Sequence, residues 1–231
     1  MPLEYEYRYR EPLYDKAAII RMIKANGGKK QGKYLFRVCV FAHPLKHKYY
    51  IRVRDEGFRT TLTIKTQGAD DEFPQENEIM INDFNEGRAI LEGLGCVKKY
   101  CYEKIREIWY IESTSTEICW DTNPGRYDLM EVESETKKQL LQTITLLGLN
   151  DLPHDDFDDQ TIYDDQFGID LAQKKTDLTF KYASKILTPL CRKNKKEFKQ
   201  LIDKQMHEYE NLLRKNTSHK KGKVNQKQKH E

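Results

Sequence analysis

Charged side chains recur at every second position in several segments that have the composition of β-strands. Side chains two residues apart on a strand point to the same face, so each pair forms a charged strip. Glu4 and Glu6 begin the series, with Arg8 on the same face. The other strips are Arg52 with Arg54, Lys65 with Thr61 and Thr63, Glu76 with Glu78, Lys104 with Arg106, and Glu131 with Glu133. Most strips therefore carry charge of one sign.

These strips allow two interpretations. Where the opposite face of the strand is apolar, as with Ile51 and Val53, an antiparallel sandwich would bury the apolar face and leave the charges in water. Exposed strands usually mix charges of both signs, however, so that neighbouring strands form ion pairs. Strips that are sorted into acidic and basic groups fit better with a closed barrel whose interior is charged.

A charged interior would have chemical consequences. Carboxylates that share a confined site repel one another, and a divalent cation removes that repulsion. Ligation by carboxylate oxygens alone favours a hard ion such as Mg²⁺ or Mn²⁺. Clustered Arg and Lys side chains need an anion. A polyphosphate satisfies both groups, because Arg binds its oxygens in pairs while a metal bridges them. The pattern predicts a metal-dependent site for a polyphosphate compound.

Three helix-like segments are placed to cover the outer face of such a barrel. They span residues 13–25, 83–94 and 135–148, and Asp83 can cap the second. About eight strand-like segments occur with few helices between them, which favours an antiparallel meander over a parallel sheet. We therefore predict an α+β fold: an eight-stranded antiparallel closed β-barrel with helices packed outside.

The composition of the 231 residues bears on location and partners. No apolar run approaches the roughly 20 residues that a membrane helix needs, and the first residues lack the apolar core of a signal peptide. Five cysteines without CxxC spacing predict reduced thiols and a cytoplasmic location. The formal net charge of +3 gives no argument for nucleic-acid binding. The lysine-rich stretch 214–231 is expected to be disordered and could attract RNA.

The order of the charged segments resembles the CYTH superfamily, the triphosphate tunnel metalloenzymes. EYEYR at residues 4–8 resembles the ExExK signature, with Arg8 in place of the usual Lys. YIRVR, TLTIK and ENEI resemble a basic, a lysine-bearing and an acidic strand, and EKIREIWYI resembles a second basic strand. ICWDTNPGRYDLMEVE resembles the aspartate strand, Gly turn and Glu-x-Glu strand. The resemblance runs from about residue 3 to residue 170 and is nearest to the class IV adenylyl cyclase-like branch, which is related to thiamine triphosphatase.

This resemblance implies a tunnel whose acidic strands bind metal and whose basic strands bind triphosphate. The implied metal ligands are Glu4, Glu6, Glu131 and Glu133, with Glu76, Glu78 and Asp121 as a second set. The implied substrate-binding residues are Arg8, Arg52, Arg54, Lys65, Lys104 and Arg106. Among these we expect Glu4, Glu6, Lys65 and Arg106 to carry catalysis. The chain is expected to divide into the tunnel domain (1–170), a helical extension (171–213) and the basic tail (214–231).

Three functions are compatible with such a tunnel. The leading hypothesis is Mg²⁺- or Mn²⁺-dependent hydrolysis of inorganic triphosphate, thiamine triphosphate, a nucleoside triphosphate or the 5′-triphosphate end of RNA. The second is adenylyl cyclase chemistry, which makes cyclic AMP and pyrophosphate from ATP. The third is a polyphosphate- or RNA-binding module without turnover. Hydrolysis is the leading hypothesis because, of the enzymatic reactions, it depends least on a pocket that recognises a nucleotide base. Both a monomer and a homodimer are compatible with the sequence.

Overall fold

The computed structural model describes residues 5–45, 49–66, 75–154, 159–170 and 177–227, without the side chains of 159–161 and 215–227. Glu4 therefore lies outside the described residues. The strands are β1 (Tyr5–Arg10), β2 (Lys29–Ala42), β3 (Tyr49–Asp55), β4 (Thr60–Thr66), β5 (Gln75–Ile81), β6 (Val97–Ile111), β7 (Thr116–Thr122) and β8 (Leu129–Ser134). The α-helices are α1 (Lys16–Ala25), α2 (Phe84–Gly93), α3 (Lys137–Leu146), α4 (Asp159–Phe167), α5 (Phe180–Leu187) and α6 (Lys195–Lys227).

The eight strands form one antiparallel sheet in the order β1-β8-β7-β6-β2-β3-β4-β5. The long central strands β2 and β6 pair over most of their length, and the charged strips, including Lys104 and Arg106 of β6, share the concave face. The α+β class and the antiparallel sheet are confirmed.

The sheet curls into an open half-barrel, and the prediction of a closed barrel is not confirmed. Within the described residues no ladder joins the two edge strands, β1 and β5. Closure requires the edge strands to tilt and stagger until they pair. The edge strands have 6 and 7 residues, whereas the central strands β2 and β6 have 14 and 15. The concave face is open along the side where β1 and β5 are unpaired within the described residues.

Helices cover the convex face, as predicted. α1 and α3 bury Ile23 and Leu140 against a cluster that includes Trp109 and Trp120. α2 buries Phe84 against the β3 side of the sheet. Each of these three helices begins at a capping side chain that accepts backbone N–H groups: Asp15, Asp83 and Thr136. With its convex face packed in this way, the sheet presents its charged face to the open side.

The C-terminal helices form a second packed unit. Phe167, Leu187 and Phe198 join α4, α5 and α6 in one apolar cluster. Tyr209 and Leu212 of α6 pack with Leu35 and Ile105 on the sheet, together with Phe180 of α5. α6 therefore docks on the half-barrel of its own chain.

α6 continues through Lys227, which differs from the disordered tail predicted from residue 214. The stretch contains no proline that would end a helix. The prediction that its lysines attract RNA concerns side chains outside the described set. No helix in the described part of the chain is long and apolar enough to cross a bilayer.

The prediction that all five cysteines are reduced is wrong for two of them. Cys39 and Cys101 form a disulfide. They lie far apart in sequence, but the pairing of β2 with β6 places them directly opposite each other. Cys96, Cys119 and Cys191 are free and buried. This pairing depends on strand order and register, which local sequence patterns do not encode.

Candidate active site

The concave face of the half-barrel encloses a cleft of about 1410 Å³. All of the sequence-predicted site residues that the structure describes line it. These are Glu6, Arg8, Arg52, Arg54, Lys65, Glu76, Glu78, Lys104, Arg106, Asp121, Glu131 and Glu133. The structure thus brings the predicted residues together, with Glu4 outside the described residues.

One wall of the cleft is built by β3, β4 and β5. Their register places Lys65 opposite Glu76 and Thr63 opposite Glu78. The Lys65 Nζ lies 2.8 Å from a Glu76 carboxylate oxygen, and an Arg52 Nη lies 3.3 Å from the other. Thr63 donates its hydroxyl to Glu78 at 2.7 Å. Acidic and basic strips that are separate in the sequence therefore become cross-strand ion pairs.

Glu56 joins this wall at the end of β3, although it was not among the predicted site residues. It is 2% exposed. Its carboxylate lies 2.5 Å from Arg54 and 2.6 Å from Arg59. The sequence shows it only as part of an Asp-Glu-Gly turn. Glu56 continues the period of Arg52 and Arg54, but it follows the last residue of the strand, Asp55, so the predicted charged strip does not include it.

The centre of the cleft is a compact network on β6, β7 and β8. Asp121 accepts hydrogen bonds from Arg106 at 2.7 Å (Nε to Oδ1) and 2.6 Å (Nη2 to Oδ2). Lys104 also donates to the Oδ2 atom of Asp121, and Arg106 donates to Glu131. Lys104, Arg106 and Asp121 are all buried. Both carboxylate oxygens of Asp121 are thus engaged by cations.

The electrostatics of this centre follow from burial and from the neighbouring charges. Burial lowers the pKa of Lys104, and Arg106 lowers it further. Burial disfavours the charge on Asp121, but Arg106 and Lys104 outweigh it and hold the pKa of Asp121 below its usual range. Burial lowers the pKa of Arg54, and nearby Arg52 adds to the effect. For Arg106 the charges of its two carboxylate partners outweigh burial and raise the pKa, so Arg106 is fully compensated, whereas Lys104 and Arg54 are compensated only in part.

Phe36 forms the floor beneath three of these cations. The charged groups of Arg54, Lys104 and Arg106 lie 5.6, 5.9 and 5.7 Å from the centre of its ring. An aromatic face attracts cations electrostatically. Phe36 also packs with Ile108 and Cys119. The ring therefore holds cations from two walls of the cleft near one another, which favours binding of a multiply charged anion.

Comparison with known proteins places this cleft in a family. The CYTH domain model matches residues 3–145. The chain belongs to the CYTH domain family. The matched residues contain all eight strands of the half-barrel, and α4, α5 and α6 lie beyond them. A search of curated proteins finds no significant match.

Solved structures show the same fold at low identity. The PH1012 protein of Pyrococcus horikoshii OT3 is 20% identical, with a TM-score of 0.54 and coverage of 66% of this chain and 94% of that chain. A "putative adenylate cyclase" of Vibrio parahaemolyticus is 16% identical, with a TM-score of 0.58 and coverage of 70% and 97%. A conserved hypothetical protein of Pyrococcus furiosus is also 16% identical, with a TM-score of 0.54 and coverage of 69% and 99%.

A row of carboxylates lies at one end of this CYTH cleft. Glu6 is the register partner of Glu133, which is in turn the partner of Glu117. All three line the cleft. Glu117 was not predicted, because the residue two positions further along β7 is Cys119, so no charged pair marks the strand. This end is the most acidic part of the wall formed by β1, β8 and β7.

The donor chemistry of this row fits a hard divalent cation, because every donor is a carboxylate oxygen. In the ranges that the structure describes, no three acidic, His or Cys side chains converge closely enough to hold a metal ion. Glu6, Glu131 and Glu133 share the wall, and Glu131 contacts Arg106 through one carboxylate oxygen, whereas cations engage both oxygens of Glu76 and of Asp121. Carboxylates on β1 and β8 therefore fit a metal better than the second predicted set.

Proposed function

We propose that this CYTH domain hydrolyses a triphosphate compound with the help of Mg²⁺ or Mn²⁺. The observation that carries the proposal is the set of cations lining one cleft: Arg8, Arg52, Arg54, Lys65, Lys104 and Arg106. A triphosphate presents several anionic oxygens along one chain. Guanidinium groups can bind these oxygens in pairs, and buried cations attract them more strongly than exposed cations do.

The network around Asp121 would prepare part of this site before substrate arrives. Its carboxylate binds Lys104 and Arg106 together and fixes both cations on one side. Phosphate oxygens can then approach the remaining donors of the two side chains. Asp121 acts in this proposal as a positioning residue rather than a metal ligand, because its two oxygens already accept hydrogen bonds from the cations.

On the opposite wall, substrate would exchange ion pairs. Glu76 and Glu78 neutralise Arg52, Arg54 and Lys65. A triphosphate that displaced these carboxylates would keep the cations paired, so their desolvation would not be left uncompensated. Arg52 and Lys65 are 12% and 18% exposed in their side chains, so they can reach the cleft.

Glu6, Glu131 and Glu133 would hold the metal, together with Glu4, which the family resemblance implies as a further ligand. A bound divalent ion would supply Lewis-acid polarisation of phosphoryl oxygens and lower the pKa of a coordinated water. Arg106, which contacts Glu131, would stabilise negative charge that develops on the transferred phosphoryl group. A glutamate of the acidic row would orient the attacking water.

A product screen tests this proposal. The full chain is incubated with tripolyphosphate, thiamine triphosphate, ATP, GTP or a 5′-triphosphate RNA, in the presence of Mg²⁺, Mn²⁺ or a chelator. We expect metal-dependent release of orthophosphate from at least one compound. The Glu131→Gln variant should lose this activity. Arg21→Ala, which changes an exposed residue of α1, serves as the control and should retain it.

Two results would reject hydrolysis. Formation of cyclic AMP and pyrophosphate from ATP would identify a cyclase. Tight binding of triphosphates without any product, in all metal conditions, would identify a binding module.

A further inference from the structure

The C-terminal extension contributes residues to one end of the cleft. Leu178 and Ile186 line it together with Tyr50, Tyr100 and Tyr102. Leu178 and Ile186 lie beyond the residues that match the CYTH domain. We call these five side chains the tyrosine end. It lies at the beginning of β6, whereas the acidic row of Glu6, Glu133 and Glu117 lies toward the other end of the strands.

The backbone places Leu178 firmly at this end. β7 pairs only with the second half of β6, from Ile105 onward. Alongside the first half, Leu178 forms a parallel bridge with Tyr102. The N–H of Leu178 donates to the carbonyl of Cys101 and the N–H of Glu103 donates to the carbonyl of Leu178, both at 3.0 Å. The extension thus continues the sheet where β7 stops.

Side chains before and after Leu178 reinforce this connection. Asp177 accepts a hydrogen bond from the backbone N–H of Cys101 at 2.9 Å and from Lys98 Nζ at 2.9 Å. Glu103 accepts the backbone N–H of Phe180 at 3.0 Å. Five hydrogen bonds between short, adjacent segments therefore hold this part of the extension against β6. These hydrogen bonds fix the position of Leu178 beside Tyr102.

The tyrosines connect this apolar surface with the cations. The rings of Tyr100 and Tyr102 have centroids 6.1 Å apart. The guanidinium of Arg52 is close enough to Tyr50 and Tyr102 to interact electrostatically with their side chains. Tyr102 precedes Arg106 by four residues on β6, so their Cα atoms are about 13 Å apart. A triphosphate bound between Arg106 and Arg52 would end at the tyrosines.

Resting on the proposed function, we infer that the tyrosine end is a subsite for the planar organic group of an organic triphosphate. Aromatic faces stack on planar rings with little dependence on their substituents. Leu178 and Ile186 supply apolar contact that a free inorganic anion cannot use. The extension therefore selects an organic triphosphate over inorganic triphosphate. It also orients the bound triphosphate so that its terminal phosphate lies toward the acidic row.

The test measures a preference rather than activity alone. Kd values are determined by calorimetry for tripolyphosphate, ATP, GTP, CTP, UTP and thiamine triphosphate. We expect the best organic compound to bind at least about tenfold more tightly than tripolyphosphate. Leu178→Ser and Tyr102→Leu should each remove most of that preference and leave the Kd of tripolyphosphate within about twofold. Leu178→Ser keeps the backbone hydrogen bonds, and Ile90→Ser on the exposed side of α2 is the control.

The inference is overturned if tripolyphosphate binds as tightly as every organic compound, or if Leu178→Ser and Tyr102→Leu weaken all ligands equally. Melting temperatures of all variants identify any that fail to fold, and Ile186→Ser then replaces the affected one. Turnover of tripolyphosphate and of every organic triphosphate in the binding series is measured in parallel with Mg²⁺ or Mn²⁺. Turnover without a preference for organic compounds supports hydrolysis and rejects the subsite. An organic preference without turnover supports the subsite and rejects hydrolysis.

Discussion

Two adjacent residues of β6 sit in two different charge networks. Arg106 faces the concave side and joins Lys104, Asp121 and Glu131. Glu107 faces the convex side and lies 2.8 Å from Lys30, 3.3 Å from Lys33 and 4.0 Å from Lys16. Both networks contain a buried carboxylate with several cations.

The convex network differs in that its carboxylate does not line the cleft that Arg106 lines. Glu107 is absent from the lining of the cleft, and Trp109 donates its indole N–H to Glu107 at 3.0 Å. Burial opposes the charge on Glu107, but Lys30, Trp109 and the other lysines outweigh it and lower its pKa to about 2. The comparison shows that burial and a shifted pKa do not by themselves indicate a substrate site. The cleft beside Arg106 makes the difference.

The largest expected effect comes from the concave network. Arg106→Ala should reduce kcat by at least about 100-fold, because a donor aimed at developing phosphoryl charge is removed. It should also lower the free energy of unfolding by about 3–5 kcal/mol, because Asp121 and Glu131 lose a buried partner. Steady-state kinetics and denaturant unfolding measure the two effects. Retention of more than half of the activity in a folded variant would remove Arg106 from the site.

Asp121→Asn should have the next largest effect, a decrease of about tenfold in kcat/KM. The amide keeps the shape of the side chain but no longer holds both cations by charge. The concentration of Mg²⁺ or Mn²⁺ that gives half-maximal activity should remain within about twofold of wild type. A large increase in that concentration would instead make Asp121 a metal ligand, as the sequence resemblance implies.

Glu107→Gln is the matched change on the convex face and should leave turnover unaltered. It should destabilise the fold near neutral pH by about 2–3 kcal/mol, given the lowered pKa of Glu107. A carboxyl whose folded pKa lies below its unfolded value stabilises the protein above the unfolded pKa. The difference between wild type and variant should therefore shrink as pH falls from 4.5 toward 2. Denaturant unfolding across this pH range measures it. A loss of activity comparable to that of Arg106→Ala would contradict the claim that the concave network, and not the convex network, contributes to turnover.

The smallest expected effect concerns Arg8, which stands where the family signature has Lys. Its side chain is 39% exposed, and Arg8→Lys preserves the positive charge. We expect kcat/KM to change by no more than about threefold in either direction. A gain of tenfold or more would mean that the Lys amine has a role that the guanidinium cannot perform.

The alternation of charges made much of the cleft predictable, because a period of two fixes which side chains share a face. Lys104 and Arg106, or Glu131 and Glu133, could be grouped without any knowledge of the fold. The partners of each strip could not be predicted in the same way. That Lys65 lies opposite Glu76, or Cys39 opposite Cys101, depends on strand order and register. These are long-range properties that no local pattern encodes.

Other site residues were missed because they follow the end of a strand, have no charged residue two positions away on their strand or carry no charge. Glu56 is in a turn and Glu117 has no such neighbour on β7. Tyr102 belongs to an aromatic stretch whose pattern is equally compatible with a buried core strand and with a binding site. Leu178 reaches the cleft only because the extension returns to pair with β6. The open edge of the half-barrel likewise could not be predicted, since strand number and alternation are the same for an open and a closed sheet.

The fate of ¹⁸O from labelled water tests the central claim most directly. The chain is incubated with its preferred triphosphate and Mg²⁺ or Mn²⁺ in H₂¹⁸O, and the products are analysed by mass spectrometry. Our account predicts one ¹⁸O atom in orthophosphate and none in the remaining diphosphate, because water attacks the terminal phosphorus. Unlabelled pyrophosphate together with a cyclic nucleotide, or no product at all with any of the tested triphosphates, would contradict it.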